Sequence, residues 1–199
     1  MSEMKGVEAV PQLWQRFTEW LRHNAPEDHT VLLPGIGAEE IGTLEREIGF
    51  PLDDGLKALL SVCCGVVPPT SSMEPGAFFL QYSLLDAAGI VECQQYFANA
   101  ERDLVADGDD WGVGMLAHHS WVPFARANTG DVLFVDHRDG HGGEVGEMSF
   151  GDPQYRLLRP GLTETLHDMC VAVEESAPFL LPELRRRPVV HEGRMLEWH

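Results

Sequence analysis

Two short helices separated by a proline-containing turn are predicted between residues 32 and 65, and this segment constrains the fold more than any other. The first is expected over residues 38–48, where apolar side chains recur every three or four positions. Gly49 follows it and suits a helix end. The second is expected over residues 54–64, with Asp53 as its N-cap. The apolar faces of these two helices must be covered by other elements of the chain.

The remaining pattern segregates helices from strands. Apolar spacing predicts further helices over residues 11–23, 86–105 and 162–175. Strands are expected over residues 78–85, 119–125, 131–136 and 143–150, with a short glycine-containing turn between the second and the third. Segregated elements of this kind indicate the α+β class. We expect N-terminal helices packed on an antiparallel β-meander, with a closing C-terminal helix.

One domain with a short extension is the expected organisation. A length of 199 residues fits a single domain, which we place at residues 1–180. The extension covers residues 181–199, which carry four arginines and show no helical or strand periodicity. We expect this segment to lie outside the core, either as an arm docked on an acidic face or as a disordered tail.

Acidic residues dominate the charge of the chain. There are 32 acidic and 14 basic residues, a net charge of −18. Such a field repels nucleic acid and anionic membranes, and it attracts a basic protein partner. Solubility alone also explains an acidic composition. Between residues 86 and 110 the chain has seven acids and one base, Arg102, so the negative charge is concentrated there.

The cysteines and the N-terminus indicate a cytoplasmic protein. Cys63 and Cys64 are adjacent, while Cys93 and Cys170 stand alone, so they form no metal-binding or disulfide pattern. The N-terminus has no apolar run typical of a signal peptide, and no segment has the roughly 20 apolar residues that span a bilayer.

The turn from His137 to His141 is the most site-like cluster in the sequence. His137, Asp139 and His141 are weak candidates for a transition-metal site, because imidazole and carboxylate groups bind such ions. The irregular spacing and two neighbouring glycines favour a solvated hairpin turn instead. We therefore expect no bound metal and no cofactor.

No other pattern provides a convincing catalytic set. His118 and His119 could pair with a cysteine, but Cys63 lies on an apolar helix face, where a thiol is usually inert. The acids from Asp103 to Asp110 could be paired carboxylates of a hydrolase, yet their density in a glycine-rich stretch is typical of an exposed acidic surface. We expect a protein that is not an enzyme.

Three segments of the sequence carry a resemblance to a known family. They are Leu33-Pro34-Gly35 with the helix that follows, the helix from Leu52 to Gly65, and Trp121-Val122-Pro123-Phe124 with Gly130-Asp131 and Leu133-Phe134-Val135-Asp136. Together they resemble the SUKH superfamily, which includes a fungal regulator of cell-wall assembly and many bacterial immunity proteins. The match covers about residues 32–150. It departs at Cys64-Gly65, where the family often has Asn-Gly, and residues 66–76 and 86–118 do not align.

The resemblance implies a protein-binding role of the toxin–antitoxin kind. An immunity protein of this family binds and blocks a bacterial toxin, often a nuclease with a basic cleft, and the acidic charge suits such a partner. We expect the contacts at Asp103, Asp107, Asp109, Asp110 and Trp111. Two alternatives remain open: a regulatory scaffold like the fungal member, and a metal-dependent enzyme using the His137–His141 turn.

Overall fold

A computed structural model describes residues 3–71, 74–151, 153, 155–180 and 185–199. Within these ranges the helices are α1 Glu3–Asn24, α2 Pro26–Thr30, α3 Ala38–Ile48, α4 Asp54–Val62, α5 Ala87–Asp107 and α6 Leu162–Glu175. The bounds predicted for α3 and α6 coincide with those observed. α2 is not among the helices predicted from the sequence, and in it Pro26 fills a first-turn position where its missing N–H is not needed.

An antiparallel five-stranded sheet forms the centre of the described structure. Its strands follow one another in sequence order, each pairing with the next: β1 Ser83–Leu84, β2 Trp121–Arg126, β3 Val132–Asp136, β4 Val145–Met148 and β5 Tyr155–Arg159. Two small hairpins follow, β6 Phe179–Leu180 with β7 Arg185–Arg186, and β8 Pro188–His191 with β9 Met195–Trp198. The α+β class is confirmed, with N-terminal helices, a meander and a later helix.

Helix packing builds the main core on one side of the meander. α1 packs against α6 and α4, while α5 lies against β2 and α3. All five residues of β3 are buried, so both faces of this central strand are covered. A smaller cluster lies between α5 and the sheet and contains Phe97, Ala117, Trp121, Val132, Phe134 and Met148.

The Leu-Pro-Gly turn before α3 is held directly against α4. Cys64 N–H donates to the Pro34 carbonyl at 3.1 Å, and Ile36 N–H donates to the Leu60 carbonyl at 2.9 Å. A Cβ atom on Gly35 would lie 2.0 Å from the Ser61 carbonyl oxygen. Only glycine allows this approach, which explains why the turn reads Pro-Gly.

The strand predicted over residues 78–85 is mostly a tight turn. Leu80 and Gln81 have φ of 56° and 76°, and the chain folds back so that Phe79 bridges Tyr82. Only Ser83–Leu84 reaches the sheet as β1. The apolar run that predicted a strand instead supplies Phe78, Phe79 and Leu80 to the core.

The C-terminal segment is part of the core, contrary to the prediction. Leu196 and Trp198 belong to the main hydrophobic cluster. Trp198 Nε1 donates to the Phe78 carbonyl at 2.7 Å, and Leu196 N–H donates to the buried Asp28 carboxylate at 2.6 Å. The prediction failed because this hairpin is specified by distant partners rather than by its own pattern. The predicted domain boundary at residue 180 stays a prediction, and residues 181–184 lie outside the described residues.

Candidate functional site

An acidic stripe runs along the exposed side of α5. Helical spacing places Glu92, Tyr96, Asn99, Asp103 and Asp107 on one face, and all five are exposed. We call these residues the α5 stripe. Gly108 then ends the helix with φ of 74°, which a residue without a Cβ adopts at little cost. The α5 stripe therefore places two predicted contact residues, Asp103 and Asp107, on the same helix face as the Tyr96 ring.

The turn after α5 carries the other predicted contact residues. Asp110 is exposed, and the Trp111 side chain is 66% exposed. Asp109 differs, because its Oδ1 accepts a hydrogen bond from Gly112 N–H at 3.0 Å and so shapes the turn. The side chains of Asp103, Asp107, Asp110 and Trp111 make no hydrogen bond or ion pair within the part of the chain that the structure describes. Their polar groups are thus available to a partner.

A groove of about 550 Å³ opens beside the first half of the stripe. Tyr96, 55% exposed, and Phe150, 42% exposed, meet edge to face across it, with ring centroids 5.9 Å apart. Glu92 and Arg126 also line it. An aromatic cleft beside acids is a combination that protein interfaces use, because large rings supply contact area and charges supply orientation.

An ion pair between buried Asp136 and partly buried Arg138 supports the turn that carries Trp111. Arg138 donates to both carboxylate oxygens of Asp136 and, through Nη1, to the Gly114 carbonyl at 3.1 Å. Trp121 Nε1 donates to the same carboxylate at 3.2 Å. Burial acts to raise the pKa of Asp136, but hydrogen bonds from Arg138 outweigh it and the pKa is lowered. Asp136 therefore stays ionised and holds Arg138 against the turn.

The predicted metal candidates are not brought together as ligands. His137 Nε2 accepts from Asp53 N–H at 2.8 Å, and its Nδ1 donates to the Val135 carbonyl at 3.0 Å. Both ring nitrogens are therefore used by the fold, and burial lowers the pKa of this ring. His141 Nδ1 lies 2.7 Å from Glu144, while Asp139 is exposed in the turn. Among the described residues, no cluster of three potential ligands contains any of these candidates.

A different cluster does gather metal-binding groups. Glu101, on the flank of α5, faces His118 and His119 at the entry to β2. Glu101 Oε2 lies 2.8 Å from His119 Nδ1, and Oε1 lies 3.8 Å from His118 Nε2. Sequence reasoning considered the two histidines only as partners of a cysteine. Glu101 was missed because it meets them only when α5 packs on the sheet.

The cysteines show no sign of activation. All four are buried and free. Burial raises the pKa of Cys63 to about 12, and its Sγ donates to the Gly65 carbonyl at 3.2 Å. A thiol in this environment is protonated at neutral pH and is a poor nucleophile.

Among the described residues, no helix has both the length and the apolar character needed to cross a bilayer.

The comparison with protein-family models agrees with the resemblance seen in the sequence. A comparison with curated proteins finds no match to the chain. The model of the SMI1 / KNR4 family (SUKH-1) matches residues 35–168. This range runs from the turn before α3 into α6 and includes the whole meander, so the chain belongs to the SMI1 / KNR4 family (SUKH-1).

Proposed function

We propose that the protein is a cytoplasmic protein-binding module that neutralises a bacterial toxin by binding a basic surface on it. The observation that carries the proposal is the α5 stripe, together with Asp110 and Trp111. These residues combine exposed aromatic rings with acids that have no partner within the described chain. Family membership supports a SUKH-type binding protein, and the acidic face supports the choice of partner.

The energetic roles of the two residue types differ. Tyr and Trp are the side chains most often found at the energetic centre of an interface, where truncation weakens binding by about 2 kcal/mol or more. Exposed acids mainly speed encounter and exclude partners of like charge, and their effect falls as salt screens them. The stripe provides both, so affinity is expected to have an aromatic component that persists in salt and an acidic component that does not.

Hydrogen bonds at Gly112 and Gly114 support the turn that carries Trp111. Arg138 connects the Gly114 carbonyl to Asp136 at the end of β3. Gly112 N–H is held by Asp109. A contact residue that is positioned before binding loses less conformational entropy when the complex forms. This support favours the turn as a binding element.

The test is the affinity of the wild-type chain and two matched variants for one purified partner. The partner is identified by cross-linking in the native cell and is then expressed alone. The first variant reverses Asp103, Asp107 and Asp110 to Lys. The control reverses Glu39, Glu47 and Glu175, three exposed acids on α3 and α6, and so has the same net charge.

We expect the stripe variant to bind at least about tenfold more weakly at low salt, with a smaller salt dependence than wild type. The control should stay near wild type. Equal losses in both variants would show that net charge, rather than this surface, attracts the partner. Co-expression then distinguishes the roles: a toxin partner becomes harmless beside the wild-type chain, whereas a harmless partner indicates a regulatory scaffold.

A further inference from the structure

The cluster formed by Glu101, His118 and His119 has the composition of a zinc site. We propose that these three side chains bind one divalent transition-metal ion of the Zn²⁺ class. The site lies beneath the flank of α5 and is independent of the proposed toxin-binding role. Two imidazoles and one carboxylate form a ligand set that zinc accepts with a fourth, open position.

The distances between the ligand atoms are close to those that a metal requires. Zinc lies about 2.0–2.1 Å from His nitrogen and carboxylate oxygen, so ligand atoms in a tetrahedral site are about 3.3 Å apart. One ligand atom from each of the three residues lies within 4.8 Å of the others. These separations exceed the tetrahedral value by at most about 1.5 Å, so the three side chains must move closer together to share one ion.

The exposure of the three residues predicts where the open position lies. The Glu101 and His118 side chains are 14% and 17% exposed, whereas that of His119 is 56% exposed. An ion held by all three would face solvent on the His119 side. Water is therefore expected to complete the coordination shell there.

Metal binding requires two hydrogen bonds to be exchanged. His119 Nδ1 donates to the Glu101 carboxylate at 2.8 Å, so its proton must move to Nε2 of the same ring before Nδ1 can bind the ion. His118 Nδ1 accepts from Ser120 N–H at 3.0 Å, so the neutral ring carries its proton on Nε2. For Nε2 to bind the ion, the proton must move to Nδ1, and the contact with Ser120 must open. The exchange can be observed at the Ser120 amide, which lies directly before β2 and loses its His118 acceptor when the metal binds.

The experiment is calorimetric titration of the metal-free full chain with Zn²⁺, repeated with His119→Ala and Glu101→Gln. Two controls remove other histidines that contact a carboxylate: His23→Ala, beside Glu19 on α1, and His141→Ala, beside Glu144. The His141 variant also tests the site first considered from the sequence. Thermal unfolding of each metal-free variant checks that it is folded.

We expect one Zn²⁺ per chain, an affinity reduced by at least about tenfold in His119→Ala and Glu101→Gln, and no change in the two controls. The Ser120 amide resonance should shift on loading of the wild type and stay in place in His119→Ala. No binding to the wild-type chain would overturn the proposal, and so would an equal loss of affinity in either control.

Discussion

The acidic residues of this chain form two groups with different roles, one buried in the fold and one exposed on α5. Asp28, Asp136 and Glu147 are buried, and each accepts hydrogen bonds that connect distant segments. Asp103 and Asp107, on α5, are exposed and have no partner among the described residues. The difference shows that a carboxylate's partners, rather than its place in a run of acids, decide whether it serves the fold or is available for binding.

The largest effect is expected where a buried acid is removed. Asp136→Ala leaves the Arg138 guanidinium and the Trp121 indole N–H without their shared acceptor. Breaking a buried pair in this way typically destabilises a protein by about 3–5 kcal/mol. Urea unfolding measures the change, and Asp139→Ala, an exposed acid three residues away, is the matched control. A wild-type midpoint for Asp136→Ala would contradict the structural role.

The same residue predicts a pH dependence. Because the folded-state pKa of Asp136 lies below its ordinary value of 3.8, its contribution is present above 3.8 and is lost as the pH falls through the folded value. The difference in unfolding free energy between wild type and Asp136→Asn should therefore be largest near neutrality and shrink below pH 3.8. Acids common to both proteins cancel in this difference. A gap that stays constant or widens in acid would contradict the assignment.

A somewhat smaller loss is expected at the C-terminal hairpin. Trp198→Ala removes a buried ring and its hydrogen bond to the Phe78 carbonyl. Loss of a buried Trp costs about 3–5 kcal/mol, and we expect the lower end, because a terminal hairpin can detach locally. Val189→Ala, at an exposed position of β8, is the control. Unchanged thermal stability in Trp198→Ala would contradict the assignment of this segment to the core.

The smallest effect on stability is expected at Trp111. Trp111→Ala changes the same kind of side chain as Trp198→Ala, but the ring is 66% exposed. Its unfolding free energy should stay within about 0.5 kcal/mol of wild type. Chemical denaturation of both variants under the same conditions measures the difference in their unfolding free energies. A large loss at Trp111 would mean that the ring supports the turn rather than being held ready for a partner.

Local patterns predicted the helical part of the fold well. The residues of α3 and α6 carry their apolar spacing and their ends in the sequence, so their bounds followed from it. Strand β5 pairs with the neighbouring β4, and the two small hairpins pair internally, but the last hairpin is held in place by distant contacts such as Trp198 with Phe78. Such contacts leave no periodic signal in a segment as short as four residues.

The candidate site shows the same limit. The exposed acids and Trp111 could be located from the density of charge, because exposed residues need no particular neighbour. The cluster of Glu101 with His118 and His119 could not, since its members come from α5 and from the entry to β2. Their proximity arises from helix-on-sheet packing, which spacing along the chain does not encode. His137, a weak metal-ligand candidate from the sequence, instead accepts a hydrogen bond from Asp53 N–H, a contact that also joins segments far apart in the chain.

The proposed binding surface is tested by the affinity for the purified partner at low salt. The three proteins to compare are wild type, the Asp103/Asp107/Asp110→Lys variant and the charge-matched Glu39/Glu47/Glu175→Lys control. At least about tenfold weaker binding is expected for the first variant only. Wild-type affinity in that variant, or a loss confined to the control, would show that the exposed acids of α5 and the turn after it do not form the binding surface.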